Sequence, residues 1–267
     1  MSEEQIIHIL GKPHLFPRNS ASLTIDVRDL AFDNNSLLEK FCKFTKIHNA
    51  FDFVVMDPPW PNQSAIRCKS YEVLGGQDLR RALLDLTLPI TKNGLVAIWV
   101  TNDPRYKSFV LRKLFPKWGC KYITSWFWVK MALSNQPVIS FGMKHRKPFE
   151  TLLIGRKESQ FSLNPSLPSE KSMKYYTFRE TTNTNSDTNV KIPHHRVFFS
   201  NPVANRHSCK PPPDLLFQNY LPKDALCLEV FARDLRPNFL SLGIEPLKFA
   251  QMDYFEDAKH RKDLTHK

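Results

Sequence analysis

The sequence is short of the features that would place it in a membrane, outside the cell or around a metal ion. Its longest apolar run, Leu95 to Val100, falls far below the roughly 20 residues with which a helix crosses a bilayer. The opening MSEEQIIHILGK has no basic stretch leading into an apolar one and a small-residue cleavage site, so no secretory leader is expected. The N-x-S sequons at Asn34 and Asn62 therefore carry no expectation of glycosylation. Cysteines number five, at positions 42, 68, 120, 209 and 227, with no C-x-x-C pair. That odd, scattered set excludes a zinc ribbon or disulfide scaffold and points to reduced thiols inside the cell. His194 and His195 have no third ligand at a useful spacing and read as loop, so no metal site is expected. Repeats, heptads and an evident dimerisation helix are also missing, which makes a monomer the default.

Acidic side chains are in deficit. Twenty-six Asp and Glu stand against 38 Lys and Arg, leaving a net charge of +12. A polyanion is the natural partner for such a chain, because each phosphate neutralised releases condensed counterions. Basic balance serves solubility as well, so charge needs a site to support it.

What is present is enough for a substantial core. The 267 residues are 42% apolar and 24% charged, the balance of a globular α/β domain. FDFVVM (51–56), GLVAIWVT (94–101), ITSWFWVK (123–130), ETLLIG (150–155), RVFFS (196–200) and ALCLEVF (225–231) read as strands. Most are continuously apolar rather than alternating, as in a sheet covered on both faces. Gln77 to Leu88, Pro104 to Phe115 and Pro213 to Tyr220 read as helices, the second opened by an Asp103 cap and a proline in the first turn. Alternation of strand and helix predicts a three-layer α/β sandwich with a mostly parallel sheet. The whole of 1–267 reads as one domain. Residues from about 158 to 193, rich in Ser, Asn, Thr, Pro and Lys, read as a mobile insertion. Tyr175, Tyr176 and the lysines of that stretch are open to two readings, RNA contacts or a solvated loop.

The stretch that carries chemistry is FDFVVM followed by Asp57-Pro58-Pro59-Trp60. Ligands of open α/β sheets sit at the carboxyl ends of strands, which is where this turn falls. Two prolines fix φ twice and remove two N–H donors, leaving the Asp57 carboxylate and Pro58 carbonyl as acceptors. Trp60 offers a flat apolar face for stacking, worth roughly 1–3 kcal/mol per base. Two acceptors and one wall suit a planar base with an exocyclic amine. That amine is a poor nucleophile because its lone pair is delocalised into the ring. Acceptors on its two hydrogens would localise the pair towards an electrophilic methyl group, with no strong base needed before attack. A Pro-Pro turn alone would be read as a strand cap; an acid before it and a tryptophan after it favour function.

Asp57-Pro58-Pro59-Trp60 resembles the signature of the eukaryotic adenine-N(6) methyltransferases related to the seventy-kilodalton messenger-RNA methyltransferase subunit. The similarity runs from about Leu23 to Phe255. WFWVK (126–130), HRKPFETLLIGR (145–156), HSCKPP (207–212), LEVFARDLRP (228–237) and KFAQMDYF (248–255) resemble the branch called methyltransferase-like protein four. The resemblance implies a Rossmann-like methyltransferase fold with permuted motif order and S-adenosyl-L-methionine as cofactor. It implies RNA as partner, with 2′-O-methyladenosine of spliceosomal small nuclear RNA as target and a nuclear location, a cytoplasmic pool being the alternative. DNA adenine methylation and a catalytically impaired RNA-binding relative stand as other readings.

By the same resemblance, Asp57, Pro58, Pro59 and Trp60 are catalytic. Asp26 would accept from the adenine end of the cofactor with Val27 beside it, Lys210 would neutralise the methionine carboxylate, and Asp57, Phe231, Arg233 and Glu245 would complete that site. Gly243-Ile244-Glu245 departs from the family's usual ribose-binding run, since Ile244 has no polar side chain. On the substrate side stand Trp60, Arg67, Tyr71, Trp128, Lys130, Arg146 and Glu150. Trp128 reads equally as core, and Arg67, Lys69, Arg146 and Lys147 as phosphate contacts or solubilising charge.

Overall fold

The computed structural model describes residues 3–32, 38, 40, 43, 50–61, 76–143, 147–158, 191–201 and 209–255. Arg67, Tyr71, Arg146 and most of the expected insertion lie outside the described residues.

Two strands, β1 (Gln5–Ile9) and β2 (Lys12–Phe16), pair antiparallel as a hairpin. The remaining strands form one eight-stranded sheet, from β3 (Ala21–Thr24) through β4 (Phe51–Met56), β5 (Ile90–Val100), β6 (Cys120–Lys130), β7 (Phe149–Lys157), β8 (His195–Ser200) and β9 (Cys227–Val230) to β10 (Phe239–Gly243). Their spatial order is β3-β10-β9-β4-β5-β7-β6-β8. The first five run parallel, β7 is antiparallel to both β5 and β6, and β8 returns parallel to β6. The sheet is thus mixed and mostly parallel, the Rossmann-like arrangement expected. Strand β4 precedes β9 by most of the chain and yet lies beside it, which is the permuted order.

Both faces are covered, as the apolar strands require. Val54 and Met56 face one cluster, to which α2 (Gly76–Asp85) contributes Leu79 and Leu83; Phe53 and Val55 face the other, which includes Trp126 and Phe217. Leu79, Ala82, Leu83 and Leu86 recur at helical spacing and are all buried. The next helix, α3 (Pro104–Phe109), starts where Asp103 accepts from the Arg105 N–H, as its cap motif predicts. It continues through a π-helical turn, Val110–Leu114, in which the Phe115 N–H reaches the Val110 carbonyl. Pro116 follows at once; it has no N–H for Arg112 and its ring crowds that carbonyl, so a widened turn is the accommodation available. Gly119, at φ +64°, ends the helix in a conformation costly for other residues. Short helices also begin directly after Asp26, α1 (Val27–Phe32), and at Pro213, α4 (Pro213–Phe217).

The differences from the sequence expectation are at short elements. Strands β3 and β10, ASLT and FLSLG, have no long apolar run to announce them. They form because each finds a partner strand, β10 between β9 and β3. Strand β8 alternates exposed and half-buried residues instead of being covered on both faces, because it is a sheet edge among the described residues.

Candidate active site

Strand direction gathers the site. The parallel strands β4, β9, β10 and β3 all point their carboxyl ends to one edge, and there lie Asp57, Phe231, Glu245 and Asp26. Because β7 runs the other way, its first residues reach the same edge. Thr151 sits opposite Val100 of β5, and Glu150 opposite Trp128 of β6. Residues more than 200 positions apart therefore share one rim, where ligands of open α/β sheets bind.

At its centre is a chain of alternating charge. Lys210 Nζ lies 2.7 Å from Asp57 Oδ2 and 3.1 Å from Glu150 Oε2, and Lys130 Nζ lies 2.5 Å from Glu150 Oε1. Burial pushes the Asp57 carboxyl above the usual carboxylate range, against the pull of Lys210. Burial acts on Lys210 in the opposite sense but is outweighed by Asp57 and Glu150, which hold its ammonium firmly protonated. Glu150 is also desolvated, yet two lysines keep its pKa below the ordinary value. Lys130 Nζ further lies 4.9 Å from the Trp128 ring centroid, and Lys210 Nζ 5.7 Å from that of Trp99.

The Asp57-Pro58-Pro59-Trp60 turn departs from expectation in two details. Trp60 is not an open wall. Its indole is 4% exposed, its Nε1 donates to the Trp99 carbonyl at 2.7 Å, and one face lies against Tyr106 with ring centroids 4.8 Å apart. A large aromatic beside the core gains more by burial than by facing solvent, so Trp60 anchors the turn in this structure. The Pro58 carbonyl already accepts from the Trp60 N–H at 2.7 Å, leaving one of its two lone pairs. Tyr106 clamps the far side of the turn through a 3.0 Å hydrogen bond from its hydroxyl to the Pro61 carbonyl.

A cleft opens beside this turn, lined by Asp57, Trp99, Lys210, Glu229, Phe231 and Arg233 among others. Phe231 adopts φ +64°, unusual for a bulky residue. It follows β9 directly, and backbone strain of this kind collects at ligand sites. Arg233 Nε lies 3.8 Å from Glu245, and its guanidinium covers Phe249 at 4.7 Å. Glu245 also pairs with Lys248 at 2.9 Å. Asp26 is turned back onto Arg28, whose Nη2 donates at 2.6 Å and whose hydrogen bonds lower the carboxyl pKa. Val27 is buried at the start of α1. Trp128 is 1% exposed and donates to Ser200, so it packs the core, borders Lys130 and meets the cleft residue Trp99 edge-on. Lys147 is exposed, and Ile244 turns its side chain to solvent at 62% exposure.

One residue of the cleft that sequence reading passed over is Glu229. It sits inside the apolar strand β9 with Arg236 Nε 3.4 Å away, and its Oε2 is buried without a hydrogen-bond partner. Desolvation, reinforced by Asp234, Asp57 and Asp214 and opposed by Arg236, pushes its pKa up to about 7. The signal was available: an ionisable side chain in the middle of a buried LEV run.

Residues 51–245, from the first residue of β4 to the last of the rim carboxylates, match the family described as MT-A70. The chain belongs to that family. It is 32% identical over 256 residues to the human N(6)-adenine-specific methyltransferase METTL4, a match covering 94% of this chain and 47% of that protein. It is 32% identical over 214 residues to the N6-methyladenosine RNA methyltransferase MTA1 of Cryphonectria parasitica, covering 78% and 55%. A Caenorhabditis elegans protein named DNA N6-methyl methyltransferase is 28% identical over 206 residues, covering 76% and 48%. The chain spans about half the length of the curated relatives it matches.

The polar groups of the cleft fit the cofactor this MT-A70 chain is expected to use. S-adenosylmethionine carries a carboxylate, an ammonium and a sulfonium. Lys210 has one of its three N–H donors beyond those facing Asp57 and Glu150, and Glu229 supplies a buried acceptor with no hydrogen bond.

Proposed function

We propose that this chain transfers a methyl group from S-adenosylmethionine to the exocyclic N6 amine of adenine in RNA, with 2′-O-methyladenosine of small nuclear RNA as the specific target. The observation that carries the reading is the Asp57-Pro58-Pro59-Trp60 turn at the carboxyl end of β4, its carboxylate in the cleft and paired with Lys210. The names of the relatives support adenine N6 as the acceptor atom.

S-adenosylmethionine supplies a methyl group on positively charged sulfur, an electrophile that needs no acid to activate it. Lys210 would hold its carboxylate; Asp26, Arg233 and Glu245 lie along the rim that would take its nucleoside end. Asp57 and the second lone pair of the Pro58 carbonyl accept from the two amine hydrogens and turn the nitrogen lone pair towards the electrophile. The rate gain comes from positioning and from acceptors fixed in advance. Once methylated, the amine is acidic, and the raised pKa of Asp57 makes it a better acceptor for the departing proton than an ordinary aspartate. Lys130 and Glu150 border the substrate side of the turn, and Arg67, Tyr71, Arg146 and Lys147 would extend that surface to the nucleic-acid backbone. The same reading makes the protein a nuclear monomer.

A DNA target is the second reading, favoured by the name of the nematode relative. Nucleoside mass spectrometry after incubation with RNA and DNA oligonucleotides separates the two. N6,2′-O-dimethyladenosine in RNA carrying 2′-O-methyladenosine, lost at least about hundredfold in Asp57→Asn with the fold intact by circular dichroism, is the expected result. Product in DNA alone transfers the conclusion to the second reading, and an undiminished Asp57→Asn enzyme removes Asp57 from the mechanism.

A further inference from the structure

The acceptors of the cleft are unequally occupied. Asp57 is drawn onto Lys210, and Glu150 onto both Lys210 and Lys130. Glu229 is different. It lies between Val55 and Ser241 of the flanking strands, on the floor of the cleft that Asp57 and Lys210 also line. Among the described residues its ion-pair partner is Arg236, whose Nε is 3.4 Å away without forming a hydrogen bond, and Arg236 is shared with Asp214 of α4 at 3.5 Å. Asp234, Asp57 and Asp214 add negative potential around it, and Lys210 and Arg233 line the same cleft. A buried carboxyl in negative surroundings holds its proton until a cation arrives.

We propose that Glu229 is a cofactor-binding residue whose carboxylate receives the α-ammonium group of the cofactor's amino-acid end, so that cofactor capture expels a proton from the site. The inference rests on the proposed use of S-adenosylmethionine. An amino acid carries its carboxylate and ammonium on one carbon, so a cleft that offers Lys210 to the first needs an acceptor for the second. Among the described residues of the cleft, Glu229 offers a buried acceptor oxygen, Oε2, that no hydrogen bond engages. The exchange balances: the carboxylic acid of Glu229 loses its proton to solvent, the carboxylate pairs with the incoming ammonium, and no covalent bond to the cofactor changes. The raised pKa, about 7, agrees with a group largely protonated in the empty cleft at mildly acid pH.

Calorimetric titration of the intact chain tests this with S-adenosylmethionine and S-adenosylhomocysteine at pH 6 and 7, where the cofactor's amine is already charged. Buffers of different ionisation enthalpy report the protons exchanged. Affinity should tighten about fivefold from pH 6 to pH 7, with about half a proton released per ligand at pH 7. Both ligands should release it, since both carry the ammonium. Glu229→Gln should weaken binding about tenfold at pH 7, as expected for loss of a charge-assisted hydrogen bond, and should abolish proton release. Circular dichroism checks that the variant folds, and the proton count on the unmodified protein stands independently of it. Release with S-adenosylmethionine alone would assign the partner as the sulfonium and overturn the proposal. So would pH-independent binding without proton release. Absence of binding at every pH would instead remove the proposed function beneath it.

Discussion

Lys210 shows how a single side chain is held to a task by its neighbours. Its ammonium lies between two carboxylates; Glu150 keeps Lys130 when Lys210 is removed, but among the described residues Asp57 has no other ion pair. Removing one member of a buried charged group strands the others, a loss larger than the net worth of the pair. Lys210→Gln should therefore lower unfolding free energy by about 3 kcal/mol at pH 8 in urea titrations. The deficit should shrink at acid pH, where Asp57 and Glu150 take up protons and no longer repel; a deficit independent of pH would mean that lost packing, not stranded charge, is the cause. Methyl transfer should fall with it, because Asp57 loses the partner that orients its carboxylate. Trp60 teaches the complementary lesson. Its side chain is as conspicuous in the sequence as the aspartate, yet it acts from within the core, through Trp99 and Tyr106.

At the scale of elements, the site depends on how closely β9 and β10 exit the sheet together. The Ala232 N–H bonds to the Leu242 carbonyl at 2.7 Å, directly after the left-handed Phe231. A Cβ placed on Gly243 would lie 2.9 Å from the Ala232 carbonyl oxygen and 3.1 Å from its nitrogen, both backbone atoms with nowhere to move. Gly243→Ala should destabilise the protein by about 1–3 kcal/mol. It should also weaken cofactor binding more than the stability loss explains, because the displaced segment carries Phe231 and Arg233 on one side and Glu245 on the other. Thermal denaturation with calorimetric cofactor titration measures both. A variant with lower stability and unchanged cofactor affinity would separate this crossing from the site.

At the scale of the whole molecule, the proposed function has the charge of +12 act on nucleic acid rather than on the small cofactor. Raising salt from 50 to 200 mM should weaken RNA binding steeply, with log affinity falling linearly in log salt at a slope of roughly −0.7 per phosphate contacted on a single strand. Cofactor affinity without RNA, set by buried pairs, should change much less. Equal salt dependence of the two would count against a basic RNA-binding surface. The long apolar strands β4 to β7 and the helices α2 and α3 were legible because continuous hydrophobicity, helical spacing and the Asp103 cap are local signals. The acid-Pro-Pro-Trp corner was legible for the same reason. Strands β3 and β10 were not, since ASLT and FLSLG become strands only by finding partners. Neither was the environment of Glu229, which looks like any other acid until its neighbours are known.

The order of residues along the chain determined by itself which long segments become covered strands, where a rigid acidic corner falls and the sign of the net charge. These follow from nearest-neighbour chemistry and composition. Only the tertiary structure decided that Lys210 stands between Asp57 and Glu150, that Trp60 turns inward, and that a buried glutamate waits on the cleft floor. Such outcomes depend on which distant strands lie side by side, and burial and pairing exist only after those strands have met.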